Sequence, residues 1–181
     1  AGTNMNLDAY SAPHADDRRH NIGISGRMEI PKTGGVSLSG SLRMLSGVPF
    51  TIHDTTFDLD QNGIGVDPSA AGTFNPFPEA GESVLRDVEN EGGRNGARAP
   101  GFMQLDLRVG YRVRLGGRRT LDVFGEVFNA TDHANFTVGP TTNGVSNMGD
   151  QRNRANFLRL NGLVATTGLP RQGQIGLRFG F

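Results

Sequence analysis

The clearest pattern in the chain is an alternation of apolar and polar residues with a period of two. The longest example covers residues 103–115, where every odd position is apolar and every even position is polar or glycine. Successive side chains of a β-strand point to opposite faces, so this pattern predicts a strand with one apolar and one polar face. Four other segments alternate in the same way. Together these segments predict five strands, at about residues 21–30, 35–46, 102–115, 119–129 and 172–181.

The predicted strands are joined alternately by short and by long connections. Residues 31–35 and the Gly116-Gly117 pair predict tight turns, because proline and paired glycines favour them. Residues 50–101 and 131–171 are long polar segments, and loops of that length are uncommon in compact soluble domains. In an antiparallel meander this alternation places the long loops at one end of the strands and the short turns at the other. Such an asymmetry is typical of an outer-membrane barrel.

The polar face of the predicted strands has charges of both signs. They are Arg27, Glu29, Arg43, Asp106, Arg108, Arg112, Arg114, Asp122, Glu126 and Arg178. An arginine that faces lipid near the bilayer midplane costs roughly 2 to 4 kcal/mol, so these residues must face water or one another. In a membrane barrel they would line the lumen as arginine-carboxylate ladders, and the apolar face would meet lipid.

A soluble antiparallel sheet fits the same periodicity, with its charged face solvated and its apolar face packed on a second sheet. Periodicity alone leaves both interpretations open. The long gaps between turn signals favour the barrel, since a soluble sandwich shows such signals roughly every 8 to 12 residues. The sequence also indicates no second set of short strands, which again favours the barrel.

Composition and charge exclude several classes of function. The chain has 27 glycines among 181 residues and no cysteine, which excludes a disulfide framework, a thiolate zinc site and a cysteine nucleophile. Eighteen basic residues balance eighteen acidic ones, so no nucleic-acid partner is indicated. All the basic residues except Lys32 are arginines, which suit fixed pairing with carboxylates. The longest apolar run, residues 163–165, is far shorter than the roughly 20 residues of a transmembrane helix.

The sharpest site-like pattern is a candidate calcium loop. Asp58, Asp60 and Asn62 place oxygen atoms at positions 1, 3 and 5, and Gly63 supplies the sharp turn at position 6. Position 12 is Ser69, so the bidentate glutamate of such loops is absent. An Asp- and Gly-rich turn in an external loop uses the same residues for conformational reasons, and this alternative stays open.

The remaining candidate residues favour no catalytic function. The four histidines, His14, His20, His53 and His133, stand singly without metal-ligand spacing, which indicates solvated loop residues. No serine lies in a G-x-S-x-G elbow. We therefore expect that the chain is not an enzyme and, calcium aside, needs no cofactor.

Four stretches, in a fixed order, are similar to a known family. They are DDRRHNIGISGRMEIP (16–31), SGVPFTIHD (46–54), the segment 93–136 that contains LDVFGEVFNATDHANF, and LPRQGQIGLRFGF (169–181). Together they resemble the C-terminal part of TonB-dependent outer-membrane receptors, in particular the Oar-like group with a carboxypeptidase-regulatory-like N-terminal domain. The resemblance covers nearly the whole chain from Asp16 onward.

The resemblance implies a barrel of about 22 strands with an N-terminal plug, located in the bacterial outer membrane and driven by the TonB system of the inner membrane. Residues 1–181 would be the last five strands, an open sheet by themselves. Residues 1–20 would end an external loop, and residues 50–101 and 131–171 would be external loops that contribute to the ligand surface. The function of the intact protein would be active uptake of a large or scarce substrate.

The implied partners are outer-membrane lipid, the missing strands and plug of the same protein and, through that missing part, the TonB system. Phe124 and Phe128, which interrupt the polar face, would pack on the plug or on neighbours in the lumen. Two alternatives remain open: a soluble all-β binding or adhesion module, and a passive porin-like barrel.

Overall fold

The computed structural model describes residues 11–54, 58, 63, 67–136, 149–160, 162–164 and 168–181. The chain divides into two compact units. The sheet unit comprises His20–Leu45, Gly101–Asn135 and Leu163–Phe181, and the loop unit comprises Ala1–Arg19, Ser46–Pro100 and Phe136–Gly162. Within the described residues, no helix has the length and apolar character needed to cross a membrane.

The described residues contain eleven strands, of which five are long. In chain order they are β1 (Asn21–Glu29), β2 (Val36–Leu45), β3 (Pro49–Phe50), β4 (His53–Asp54), β5 (Asp67–Pro68), β6 (Gly72–Phe74), β7 (Val88–Asn90), β8 (Ala97–Arg98), β9 (Phe102–Gly116), β10 (Arg119–Phe128) and β11 (Gln172–Gly180). The five long strands begin and end within one residue of the positions that the alternation predicts.

The five long strands form one sheet in the sheet unit, in the order β1, β2, β9, β10, β11. All four pairings between neighbours are antiparallel. This arrangement confirms the predicted all-β meander. The sheet is open rather than closed into a barrel, and β1 and β11 are its two edges.

Short and long connections lie at opposite ends of this sheet. Residues 30–35 join β1 to β2, and residues 117–118 join β9 to β10. Gly116, beside the second turn, has a φ of 95°, a conformation that favours glycine. The long connections, residues 46–101 and 129–171, leave and re-enter the sheet at the other end.

The register keeps apolar and polar positions on separate faces. Leu38 pairs with Val109 on the apolar face, while its neighbour Ser39 pairs with Arg108 on the polar face. Residues of the apolar face are well exposed: Ile175 on β11 keeps 85% of its surface accessible. The sheet therefore presents two chemically different faces.

In its described residues, the loop unit contains six short strands. Strands β3, β8, β7 and β6 form a four-stranded sheet in that order, β4 pairs with β5, and Pro78–Ala80 forms a 3-10 helix. The unit has its own buried core, made of Ile52, Val88, Ala97, Phe157 and Leu158. The sequence indicated no second set of short strands, and the loop unit shows that this expectation is wrong.

Candidate functional site

The candidate functional site is the polar face of the sheet unit, where the register aligns charged residues in rows across the strands. One row, here called the Arg108 row, consists of Arg27, Ser39, Arg108, Glu126 and Gln174. A second, the Arg112 row, consists of Arg112, Asp122 and Arg178. Strand register thus places each carboxylate of the two rows beside at least one arginine on a neighbouring strand.

Glu126 is the central acceptor of the Arg108 row. Arg108 Nη1 donates to Glu126 Oε1 at 2.9 Å, and Gln174 Nε2 donates to Glu126 Oε2. The Glu126 side chain is only 16% exposed, so these two donors, rather than water, stabilise its negative charge. The row therefore contains a hydrogen-bonded network that crosses three strands, from β9 through β10 to β11.

The ring of Phe124 packs among glycines on the same face. A Cβ atom added to Gly176 on β11 would overlap the ring, and Gly110 on β9 lies on its other side. The guanidinium carbon of Arg108 lies 3.7 Å from the ring centroid, which is a cation-π geometry. Phe128 lines a neighbouring hollow on the polar face. Both aromatic residues thus have neighbours within the sheet.

The Arg112 row borders a shallow depression. Arg112 donates from Nε and Nη2 to the two carboxylate oxygens of Asp122, at 2.6 and 3.0 Å. Arg178 faces Asp122 from β11, yet among the described residues no carboxylate lies within 4.0 Å of its guanidinium group. Arg178 therefore adds positive charge to the depression without a salt bridge to balance it.

The depression has a volume of about 90 Å³. Its polar lining, here called the arginine depression, consists of Arg27, Arg108, Arg112, Arg178, Ser37, Ser39 and Asp122. Four guanidinium groups therefore surround a single carboxylate.

Two buried asparagines shape the rim of the sheet unit where β9 begins. Asn135 Oδ1 accepts a hydrogen bond from Met103 N at 2.8 Å, and its Nδ2 donates to Met103 O at 2.9 Å. The Asn129 amide donates to the carbonyl oxygens of His133 and Leu169, at 2.9 and 3.0 Å. Backbone groups that lack a strand partner are thus satisfied by side chains.

The loop unit has a charged cluster of its own. His53 forms a β-bridge with Asp150, and Arg152 donates from Nε and Nη2 to the Asp150 carboxylate at 3.0 and 2.7 Å. The Arg152 guanidinium lowers the pKa of Asp150, and burial lowers the pKa of His53. The prediction that the histidines are solvated loop residues is wrong for His53, which is half-buried in β4.

The structure describes the predicted calcium loop only at Asp58, at Gly63 and from Asp67 onward. Gly63 N donates to Asp58 Oδ2 at 2.8 Å, whereas Asp60 and Asn62 lie outside the described residues. In the part of the chain that the structure describes, no three His, Asp or Glu side chains are placed to hold a metal ion. Calcium binding at residues 58–67 stays a prediction.

A family model described as an outer membrane beta barrel domain matches residues 2–174. The chain belongs to this outer membrane barrel family. The protein is accordingly located in the bacterial outer membrane, and the soluble alternative is excluded. Comparison of this barrel domain with curated proteins found no match, and comparison with solved structures found none either.

The alternation of residues identified the polar face of the barrel domain but not the grouping of its side chains. The phase of the alternation tells which face of the sheet a side chain occupies. Which side chains touch depends also on the register between neighbouring strands. The two-residue turn between β9 and β10 pairs Gly116 with Arg119, a register that would bring Arg112 opposite Val123. A β-bulge between Arg119 and Thr120 shifts this register by one residue and places Arg112 opposite Asp122. Ser37 and Ser39 were missed as lining residues because small hydroxyl side chains are common on any polar strand face.

Proposed function

We propose that the chain is the C-terminal part of a TonB-dependent outer-membrane receptor, similar to the Oar-like group, that takes up a large or scarce substrate. The ordered resemblance of four stretches supports this proposal. The proposal depends mainly on the structure of the loop unit, in which the two long connections share one buried core. Because of this core they form a preformed surface rather than a set of separate loops. Such a surface suits recognition of a specific ligand.

In this proposal the apolar face of the sheet contacts outer-membrane lipid and the polar face lines the lumen. The exposed aliphatic side chains of β11 and the charged rows of β9 and β10 fit these two environments. Five strands are too few to close, since natural membrane barrels have about eight or more. The remaining strands, the plug and the contact with the TonB system come from other parts of the same protein.

The chain contributes wall and ligand surface in this proposal, and no catalytic centre. The test uses the full-length protein in planar lipid bilayers, together with the purified periplasmic domain of TonB from the same bacterium. We expect no steady conductance, because a plug closes the lumen, and we expect the TonB domain to bind. Steady conductance without TonB binding would instead identify a passive porin-like barrel.

A further inference from the structure

We infer that the arginine depression binds the carboxylate group of a solute in the lumen, so that the transported substrate is a carboxylate-bearing compound. The inference deepens the proposed uptake function and rests on it for the role of the solute. The binding itself is a property of the polar face and is testable without transport.

The lining of the arginine depression has an excess of positive charge. The depression has four guanidinium groups and one carboxylate, and Asp122 is already bound in bidentate fashion by Arg112. Arg108 is paired with Glu126, which lies outside the depression. Arg178 faces Asp122 from β11, but among the described residues it forms no salt bridge within 4.0 Å. A further anion is therefore the complementary occupant.

Shape selects the kind of anion. A guanidinium group is a planar fork that matches a carboxylate through two parallel hydrogen bonds, as the Arg112 and Asp122 pair already shows. The volume of about 90 Å³ is several times the roughly 10–15 Å³ of cavity space that one water molecule needs, so the depression has room for a small anionic group. Ser37 and Ser39 add hydroxyl donors.

The other carboxylates of the polar face are already engaged. Asp106 accepts from Gln104 Nε2 at 2.9 Å and from Asn129 N at 2.9 Å. Glu29 Oε1 lies 3.5 Å from Arg27 Nη2. Glu126 accepts hydrogen bonds from the side chains of Arg108 and Gln174. The occupant of the arginine depression therefore comes from outside the described residues, and the Arg112 side chain, 48% exposed, is accessible to it.

The experiment measures binding of 4-fluorobenzoate to the full-length protein in detergent, by fluorine NMR saturation transfer, with neutral 4-fluorobenzamide as the matched probe. We expect transfer to the benzoate alone. Arg178→Gln should weaken benzoate binding about tenfold, because it removes one charged donor pair. Arg178→Lys should recover part of the loss, since it restores the charge without the fork. Arg114→Gln, on the same face outside the depression, should leave binding unchanged.

Several outcomes would overturn the inference. If Arg178→Gln and Arg114→Gln weaken benzoate binding equally, the benzoate responds to the overall charge of the polar face and not to the arginine depression. Displacement of the benzoate by inorganic phosphate at lower concentration than by acetate would assign the depression to phosphate. If Arg178→Gln lowers the urea midpoint of unfolding and leaves benzoate binding unchanged, the occupant is an acidic side chain of the protein itself. Failure of TonB binding would contradict the uptake function and leave these binding results standing.

Discussion

Asn135 occupies the hydrogen-bonding position of a strand partner beside β9. Its amide group is fully buried and bonds both backbone groups of Met103, at a place where β10 has already ended. The tripeptides Asn129-Ala-Thr131 and Asn135-Phe-Thr137 match a glycosylation sequon in the sequence, yet both asparagine side chains are buried. Both residues therefore have a structural role and close the rim of the sheet.

We expect Asn135→Ala to lower the free energy of unfolding by about 1 to 3 kcal/mol, because two backbone groups of Met103 lose their partner. Urea unfolding of the full-length protein in vesicles, followed by the shift in electrophoretic mobility on heating, measures the change. Asn21→Ala, at an exposed strand end, is the control and should be neutral. Equal stability of the Asn135 variant and the control would contradict the assigned role.

At the scale of elements, sequence periodicity predicts the long strands well and their side-chain partners poorly. Thirteen residues in phase define β9, since both of its faces repeat over nearly its whole length. The contact between Phe124 and Gly176 depends on how β10 and β11 are aligned, and 43 residues of connection separate these strands. A long connection imposes no register, so this packing was not predictable from the sequence.

We expect Gly176→Val to destabilise the β10 and β11 pair by about 1 to 3 kcal/mol, because its side chain would overlap the ring of Phe124. Adding Phe124→Ala should recover part of the loss, and a double-mutant cycle in urea gives the coupling. Gly173→Val is the control, since a Cβ there meets only an ordinary contact, 3.7 Å from Glu126 O. Additive effects of Gly176→Val and Phe124→Ala would refute the packing argument.

The two faces of β2 give a test of the membrane orientation. Leu38→Cys and Ser41→Cys, each labelled with an environment-sensitive fluorophore in a background without other cysteines, place a probe on the apolar and polar face respectively. Nitroxide-labelled lipid should quench the probe at position 38 strongly and the probe at position 41 weakly, because only the first meets lipid. The reverse order would invert the assignment of the faces.

At the scale of the whole molecule, the sequence predicted the sheet unit and missed the structure of the loop unit. Strands of two or three residues are too short to show a period of two. The loop core also combines Ile52 with Phe157, from segments separated by β9 and β10. Local patterns contain no information on such a distant pairing, so polar composition alone indicated loops.

We expect Phe157→Ala to open the loop unit, because removal of a buried ring from a core costs about 3 to 5 kcal/mol. Limited proteolysis of the full-length protein should cut within residues 46–100 faster than in the wild type, while the heat-dependent mobility shift of the barrel is retained. Arg159→Ala, at an exposed neighbouring position, serves as control. Unchanged cleavage of the Phe157 variant would show that this core does not hold the unit together.

Acidification should loosen the loop unit at His53. Burial holds the pKa of His53 below its usual 6.5, so its contribution to stability is complete above that value and declines as the pH falls through the lowered pKa. Asp150, whose pKa Arg152 lowers from its usual 3.8, adds a further loss only at lower pH. Cleavage within residues 46–100 should therefore rise between about pH 7.5 and 5, more in the wild type than in His53→Gln. His14→Gln, at an exposed position, should behave as the wild type.

The shared core of the loop unit bears on how ligand specificity changes during evolution or engineering. Ile52, Val88 and Ala97 belong to one long connection, and Phe157 and Leu158 belong to the other. A graft that moves residues 46–100 alone into a related receptor would leave out two of the five core residues. The two connections have to be exchanged together, and substitutions at their contacts should arise in pairs.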